Sequence, residues 1–132
     1  MKNLELIIPQ WQGDEDKVYF IIYEREFTYF RGYCFVDFDV FSQFIEDIKE
    51  IEKNRTGEAV LVYEEQESRI GLTISFLRPG GELLVKFHNA CLEYVDGVDE
   101  LLDKELKDYF IIESTLVGVF LERLKSLKPT RI

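Results

Sequence analysis

FTYFRGYCFVDFDVFSQFIEDIKEIEKNRTG, residues 27–57, holds two hydrophobic periods in succession. Up to Phe38 the large apolar residues sort by strand parity. Phe27, Tyr29, Tyr33 and Phe35 share one face, and Phe30, Cys34, Val36 and Phe38 share the other. Then the period lengthens. Phe41, Phe44, Ile45, Ile48 and Ile51 fall at i, i+3, i+4, i+7 and i+10, the stripe of an amphipathic helix over residues 40–53. Asp39 is placed to cap its start, and Gly57 stands just beyond its end. A long strand running straight into a helix points to an α+β domain.

Working outward, residues 17–24 (KVYFIIYE) are β-branched and aromatic and are expected to pair with 27–38 as a hairpin around Arg25. Both hairpin faces carry large apolar groups. Such a sheet is covered on both sides, or one aromatic face meets a partner. Further upstream, Leu4, Leu6 and Ile8 read as a strand over 4–8 stopped by Pro9, followed by the polar turn Gln12 to Asp16. Downstream, strands are expected at 58–63, 69–77 and 82–88, the last two with clean alternation. Ile70, Leu72, Ile74 and Phe76 face inward, as do Leu83, Val85 and Phe87, with Lys86 and His88 outward. Asp96-Gly97 reads as a turn, and VDELLDKEL as a short helix with Val98, Leu101 and Leu102 inward. Residues 107–113 read as a last strand. Ser114 or Thr115 then caps a helix over 115–127, with Val117, Phe120, Leu121, Leu124 and Leu127 on its apolar face and Pro129 at its end. The expected architecture is a single α+β domain over 1–132, with an antiparallel sheet or two-layer β framework of about seven strands and two main amphipathic helices.

Composition narrows the partners. The 132 residues include 16 basic and 26 acidic ones, a net charge of −10, and 46% are hydrophobic. That apolar fraction supports a packed core and excludes a disordered acidic tail. The charge disfavours nucleic acid and anionic membranes, because phosphate is neutralised by Lys and Arg. Residues 93–108 hold seven acids, among them Glu93, Asp96, Asp99, Glu100 and Asp103, against Lys104 and Lys107, a net of −5. The last ten residues carry four cations and no acid, which suits the negative end of a helix. The first residues lack a signal-peptide core and no run reaches transmembrane length, so a cytoplasmic location with reduced Cys34 and Cys91 is expected.

Candidate chemistry is sparse. His88, the one histidine, falls on the polar face of a strand, where an exposed or hydrogen-bonded role is the expectation; no sequence feature ties it to Ser75 or Cys91 as a nucleophile pair. The sequence has no H-E-x-x-H, C-x-x-C, P-loop or G-x-G-x-x-G. Asp96 to Glu100 lacks calcium-loop spacing, and a solvated acidic face accounts for it better than a metal site. Cys34 reads as a small buried hydrophobe. Trp11, Tyr19, Tyr23, Tyr29 and Tyr33 are types that interfaces favour, though core packing is expected for most of them. No catalytic residue, metal or cofactor is expected.

The order of elements carries a resemblance. Phe41, Phe44, Ile45 and Ile48 form F-x-x-F-I-x-x-I; Gly57, Ala59 and Leu61 open a strand after T-G. Leu72, Ile74 and Phe76 form L-x-I-x-F, and Gly81, Leu83 and Val85 form G-x-L-x-V. The segment from Tyr109 to Leu124 contains FIIESTLVGVFLERL, similar to an F-x-x-D-Q-T-x-L-x-x-L-x-x-x-L ending, with Glu113 and Ser114 where Asp-Gln is usual and Thr115 in agreement. Over roughly residues 17–127 this pattern resembles the WapI family of immunity proteins, which protect bacteria from contact-dependent polymorphic toxins. Residues 92–106 stand apart as an acidic insertion. The resemblance implies a non-enzymatic protein that binds a cognate toxin domain and blocks it, and it brings no active-site residues. Many such toxins are nucleases with basic clefts, toward which an acidic protein is steered. Two other functions compete: a generic protein-interaction or regulatory domain, and a small-ligand-binding protein or enzyme with a pocket lined by His88 and acids. The expected partner is a protein, a basic toxin domain, with Glu93, Asp96, Asp99, Glu100 and Asp103 as its contact.

Overall fold

The computed structural model describes residues 2–7 and 15–127. Ile8, Pro9, Trp11, most of the turn at 12–16 and Pro129 lie outside the described residues. Among these residues seven antiparallel strands form two sheets. One has the order β1 (Lys2–Ile7), β2 (Glu15–Glu24), β3 (Phe27–Asp37). The other has the order β4 (Glu58–Glu64), β5 (Ser68–Phe76), β6 (Leu83–Glu93), β7 (Leu102–Ile112). Helix α1 (Phe38–Asn54) joins the sheets, and a 3₁₀ turn at Ser114–Leu116 leads into α2 (Val117–Lys125). The expected α+β fold with about seven strands and two helices is what the chain adopts.

Local chemistry explains the elements. β2 and β3 pair from Glu15↔Asp37 to Glu24↔Phe27, slipping by one residue at Tyr23↔Thr28, so Tyr29 is the extra residue of a bulge. Arg25 takes the positive φ (59°) of the tight turn between them. The change of period falls between Asp37 and Phe38. Asp37, not Asp39, therefore holds the N-cap position, and Asp39 sits in the first helical turn, where its charge complements the helix dipole. The stripe Phe41, Phe44, Ile45, Ile48 and Ile51 is buried as its spacing requires. At the other end Arg55 adopts a left-handed conformation and its N–H donates to the Ile51 carbonyl at 2.8 Å.

The core lies between the sheets and under the helices. β3 crosses β5 and β6, and Phe87 of β6 meets Phe20 and Phe30 of the other sheet at centroid separations of 5.5 and 6.1 Å. α1 lies against β4 and α2 against α1, where Lys125 reaches both Glu52 and Glu122. A buried polar residue helps tie the layers together. Asn89 is fully buried, and its amide nitrogen donates to the Tyr33 carbonyl of β3 at 2.9 Å and the Arg69 carbonyl of β5 at 3.0 Å. Two backbone carbonyls at the junction of the sheets are thereby satisfied from one side chain.

Three local expectations are corrected. VDELLDKEL is not a helix. Val98 and Leu101 lie in the loop after β6, Leu102 opens β7, and all three are exposed. Pairing with β6 from Leu83↔Ile112 to Glu93↔Leu102 overrides the short helical pattern, since each added residue gains ladder hydrogen bonds. Neither Ser114 nor Thr115 caps the last helix; both lie in the 3₁₀ turn, Leu116 precedes α2, and no side-chain cap bond forms. β6 runs five residues past its expected end at His88, to Glu93.

Candidate functional site

The five acids singled out in the sequence all lie at one end of the β6–β7 hairpin. Glu93 closes β6, Asp103 is the second residue of β7, and Asp96, Asp99 and Glu100 occupy the loop between. Every residue from Glu93 to Asp103 is exposed. Gly97, with φ +84°, supplies the left-handed turn, and the Val98 N–H donates to the Val95 carbonyl. Apolar groups are interleaved with the acids: Tyr94 is 83% exposed, and Val95, Val98, Leu101 and Leu102 are also solvent-facing. Of these five acids only Glu93 has an ion-pair partner among the described residues, Lys104 at 3.7 Å. Lys104 in turn stands 5.5 Å from the Phe30 ring centroid, so its stem is anchored to the core rather than offered to the loop. The tip thus combines unneutralised carboxylates with unburied apolar side chains.

Below the tip, the outward residues of the four-stranded sheet form rows fixed by register. Ala90 faces Glu105, His88 faces Lys107, Lys86 faces Tyr109, and Leu84 faces Ile111. On the other side of β6, Gly71 and Thr73 of β5 continue two of these rows. Gly71 has no side chain, and an open hollow of about 660 Å³ forms here against Leu84, Lys86, His88, Lys107 and Tyr109. Asp108 borders it too, but by register it takes the inward parity of Phe87. His88 is half-buried rather than exposed, and its Nε2 lies 2.7 Å from Glu105 Oε1. That hydrogen bond, helped by the charges of His88, Arg69 and Lys107, holds the Glu105 carboxyl below the usual carboxylate range. The pocket of His88 and acids that would mark a ligand site or enzyme is here a shallow hollow flanked by two lysines.

The outer face of the three-stranded sheet is the aromatic surface. Tyr19, Tyr23, Tyr29 and Tyr33 all lie on it, none of them in the core expected for most of them. The pleat turns Val18, Phe20, Ile22 and Cys34 inward instead. Lys17 Nζ stands 4.5 Å from the Tyr33 ring centroid and 5.1 and 5.4 Å from those of Tyr19 and Phe35. Tyr33 donates its hydroxyl to the Leu92 carbonyl at 2.5 Å, and burial raises its pKa. This face is therefore fastened to the root of the acidic hairpin. Both cysteines are buried thiols outside any disulfide, and burial pushes the Cys91 thiol up, away from reactivity.

Among the described residues no group of three or more His, Cys, Asp or Glu is arranged to hold a metal ion, and no helix is long and apolar enough to cross a membrane. The interleaved apolar residues of the tip escaped the sequence reading because a helix there would have buried Val98, Leu101 and Leu102. Comparison of the chain with protein-family models, with curated proteins and with solved structures finds no match.

Proposed function

We propose that this chain is a toxin-neutralising immunity protein that binds a basic toxin domain and blocks it physically, with no catalytic step of its own. The observation that carries this reading is the β6–β7 tip, where Asp96, Asp99 and Glu100 project beside Tyr94, Val95, Val98 and Leu101. Interfaces combine apolar anchors with charges that steer encounter, and loops held on rigid strands are common places for both. An acidic tip fits a cleft built to hold RNA or DNA, and occupying that cleft excludes the substrate. The resemblance of residues 17–127 to the WapI family supports the same reading. The acidic hairpin is where the chain departs from that pattern, which suits a segment that sets partner identity.

The test is co-expression with the product of the neighbouring gene. A toxin domain encoded there should co-purify with this chain, and cells expressing both should survive where the toxin alone kills. Replacing Asp96, Asp99 and Glu100 by lysine should abolish protection while the chain stays folded. Survival without complex formation, or full protection by the triple variant, refutes the reading.

A further inference from the structure

Charge is sorted along the outer face of the β6–β7 hairpin. Starting from the end nearest the α2 connection, the rows are Leu84 with Ile111, Lys86 with Tyr109, His88 with Lys107, Ala90 with Glu105, and Leu92 with Asp103. Beyond them lie Asp96, Asp99 and Glu100. On these two strands one half is apolar and cationic and the other anionic; on the neighbouring strands the same rows add Glu58 beyond Leu84, and Arg69 beside Ala90, where it pairs with Glu105 at 3.6 Å. Lys86 and Lys107 make no ion pair within 4.0 Å among the described residues, although the chain carries ten more acids than bases. Asp103 likewise has none among them. Tyr109, Ile111, Val60 and Val62 on the same face are exposed.

We propose that this face binds a second copy of the chain, as a twofold dimer in which the two hairpins stack in opposite directions. A twofold axis lying across the strands between the His88–Lys107 and Ala90–Glu105 rows maps those two rows onto each other and the Lys86–Tyr109 row onto the Leu92–Asp103 row. Lys107 of one copy then stands over Glu105 of the other, Lys86 beside Asp103, and the Leu84–Ile111 row beneath the apolar loop residues Val98 and Leu101. Each contact occurs twice, as an isologous interface requires. Stacking the hairpins in the same direction would instead set lysine on lysine and acid on acid. The fit to a copy of itself thus follows from the order of charges along the strands. Five rows about 6.7 Å apart on up to four strands about 4.8 Å apart give a face roughly 30 Å by 19 Å, on the order of 570 Å². That is below the ~800 Å² per partner of a standard interface and fits a weak dimer that depends on its charges. The dimer does not rest on the toxin-neutralising reading, and it covers acids that a toxin would also contact, so the two complexes exclude each other.

Lys86 and Asp103 provide the test, because neither has an ion-pair partner among the described residues of its own chain to lose. Sedimentation equilibrium of the full chain at low salt should show a monomer–dimer equilibrium that weakens as sodium chloride rises. Lys86→Glu and Asp103→Lys should each raise the dissociation constant by at least about tenfold, since each puts like charges together at both symmetric contacts. An equimolar mixture of the two variants should dimerise again. In that heterodimer the introduced glutamate meets the introduced lysine at one contact, and the native Lys86 meets the native Asp103 at the other. The double variant, which re-forms the swapped pair with itself, should also dimerise. A wild-type chain that stays monomeric at low salt overturns the proposal. So does a dimer insensitive to both single changes, or failure of the mixture to associate. None of these outcomes depends on protection from a toxin, so the two readings fail separately.

Discussion

A methyl group at position 32 would sit 2.0 Å from Asn89 Oδ1 and 2.8 Å from the Phe30 ring. Gly32 is thus the vacancy that lets Asn89 reach across to the Tyr33 and Arg69 carbonyls. Gly32→Ala should destabilise the fold by about 2–4 kcal/mol, through overpacking or through loss of the two bonds that Asn89 donates. Urea denaturation measures this directly, and a cost under about 0.5 kcal/mol would mean the junction is looser than described. No local sequence pattern warns of this contact, because it joins residues 57 apart on different sheets. Glu105 offers a test by pH. Its pKa is lowered in the fold, first by the hydrogen bond from His88. A depressed carboxylate stabilises the native state above its unfolded pKa, and that contribution is lost as pH falls through the folded value. The stability difference between wild type and Glu105→Gln should therefore shrink in acid, once the pH falls below the ordinary glutamate range. A difference that kept growing through that acid range would contradict the lowered Glu105 carboxyl.

At the scale of elements, period alone located most of the fold. Strict alternation marked β5, and five apolar positions at helical spacing marked α1, because both are long enough for the pattern to repeat and both bury one face. β7 defeated the same reasoning. Its buried positions, Phe110 and Ile112, lie at one end, and further back the inward positions are Asp108, Leu106 and Lys104. An alternation completed by a lysine looks solvated, while Val98, Leu101 and Leu102 mimic one helical turn. What decides is the partner strand, which a local window does not contain. The two readings assign opposite burial to Leu101, and Leu106 serves as the buried reference. Leu106 packs on the core, whereas Leu101 is exposed in the loop. Leu106→Ala should cost about 1–2 kcal/mol and Leu101→Ala no more than about 0.5 kcal/mol. Paired thermal melts would show the order, and a reversal would restore the helix. The caps were missed for a related reason: Asp37 and Asp39 are both good caps by type, and the choice depends on where β3 stops pairing with β2.

For the whole molecule, the candidate site was legible as a run of charge but not as a surface. Counting along residues 93–108 found the acids. It did not find that register separates them from Lys86 and Lys107 on the same face, or that Tyr94 and Val95 stand out beside them. The electrostatic prediction follows from that surface. Replacing Asp96, Asp99 and Glu100 by lysine moves the net charge from −10 to −4. These side chains are exposed and make no ion pair among the described residues, so folding stability should change by no more than about 0.5 kcal/mol. Association is a different matter, because encounter depends on the summed field over roughly a Debye length, about 10 Å at 0.1 M salt. On the proposed function, the tip is the part of the molecule that a basic partner meets first. Measured by stopped flow against the cognate toxin domain, at chain concentrations low enough to keep the protein monomeric, the wild-type on-rate should fall steeply with salt. The triple variant should associate about tenfold or more slowly at low salt and show a nearly flat salt dependence, the two curves converging at high salt where screening removes the steering. The off-rate should separate charge from contact. If the acids only steer, it stays close to wild type; if they pair with buried cations in the complex, it rises as well. Equal on-rates at low salt would move the contact away from the hairpin, and the Lys17–Tyr33 face of the three-stranded sheet, with its exposed Tyr29, would be the next surface to reverse.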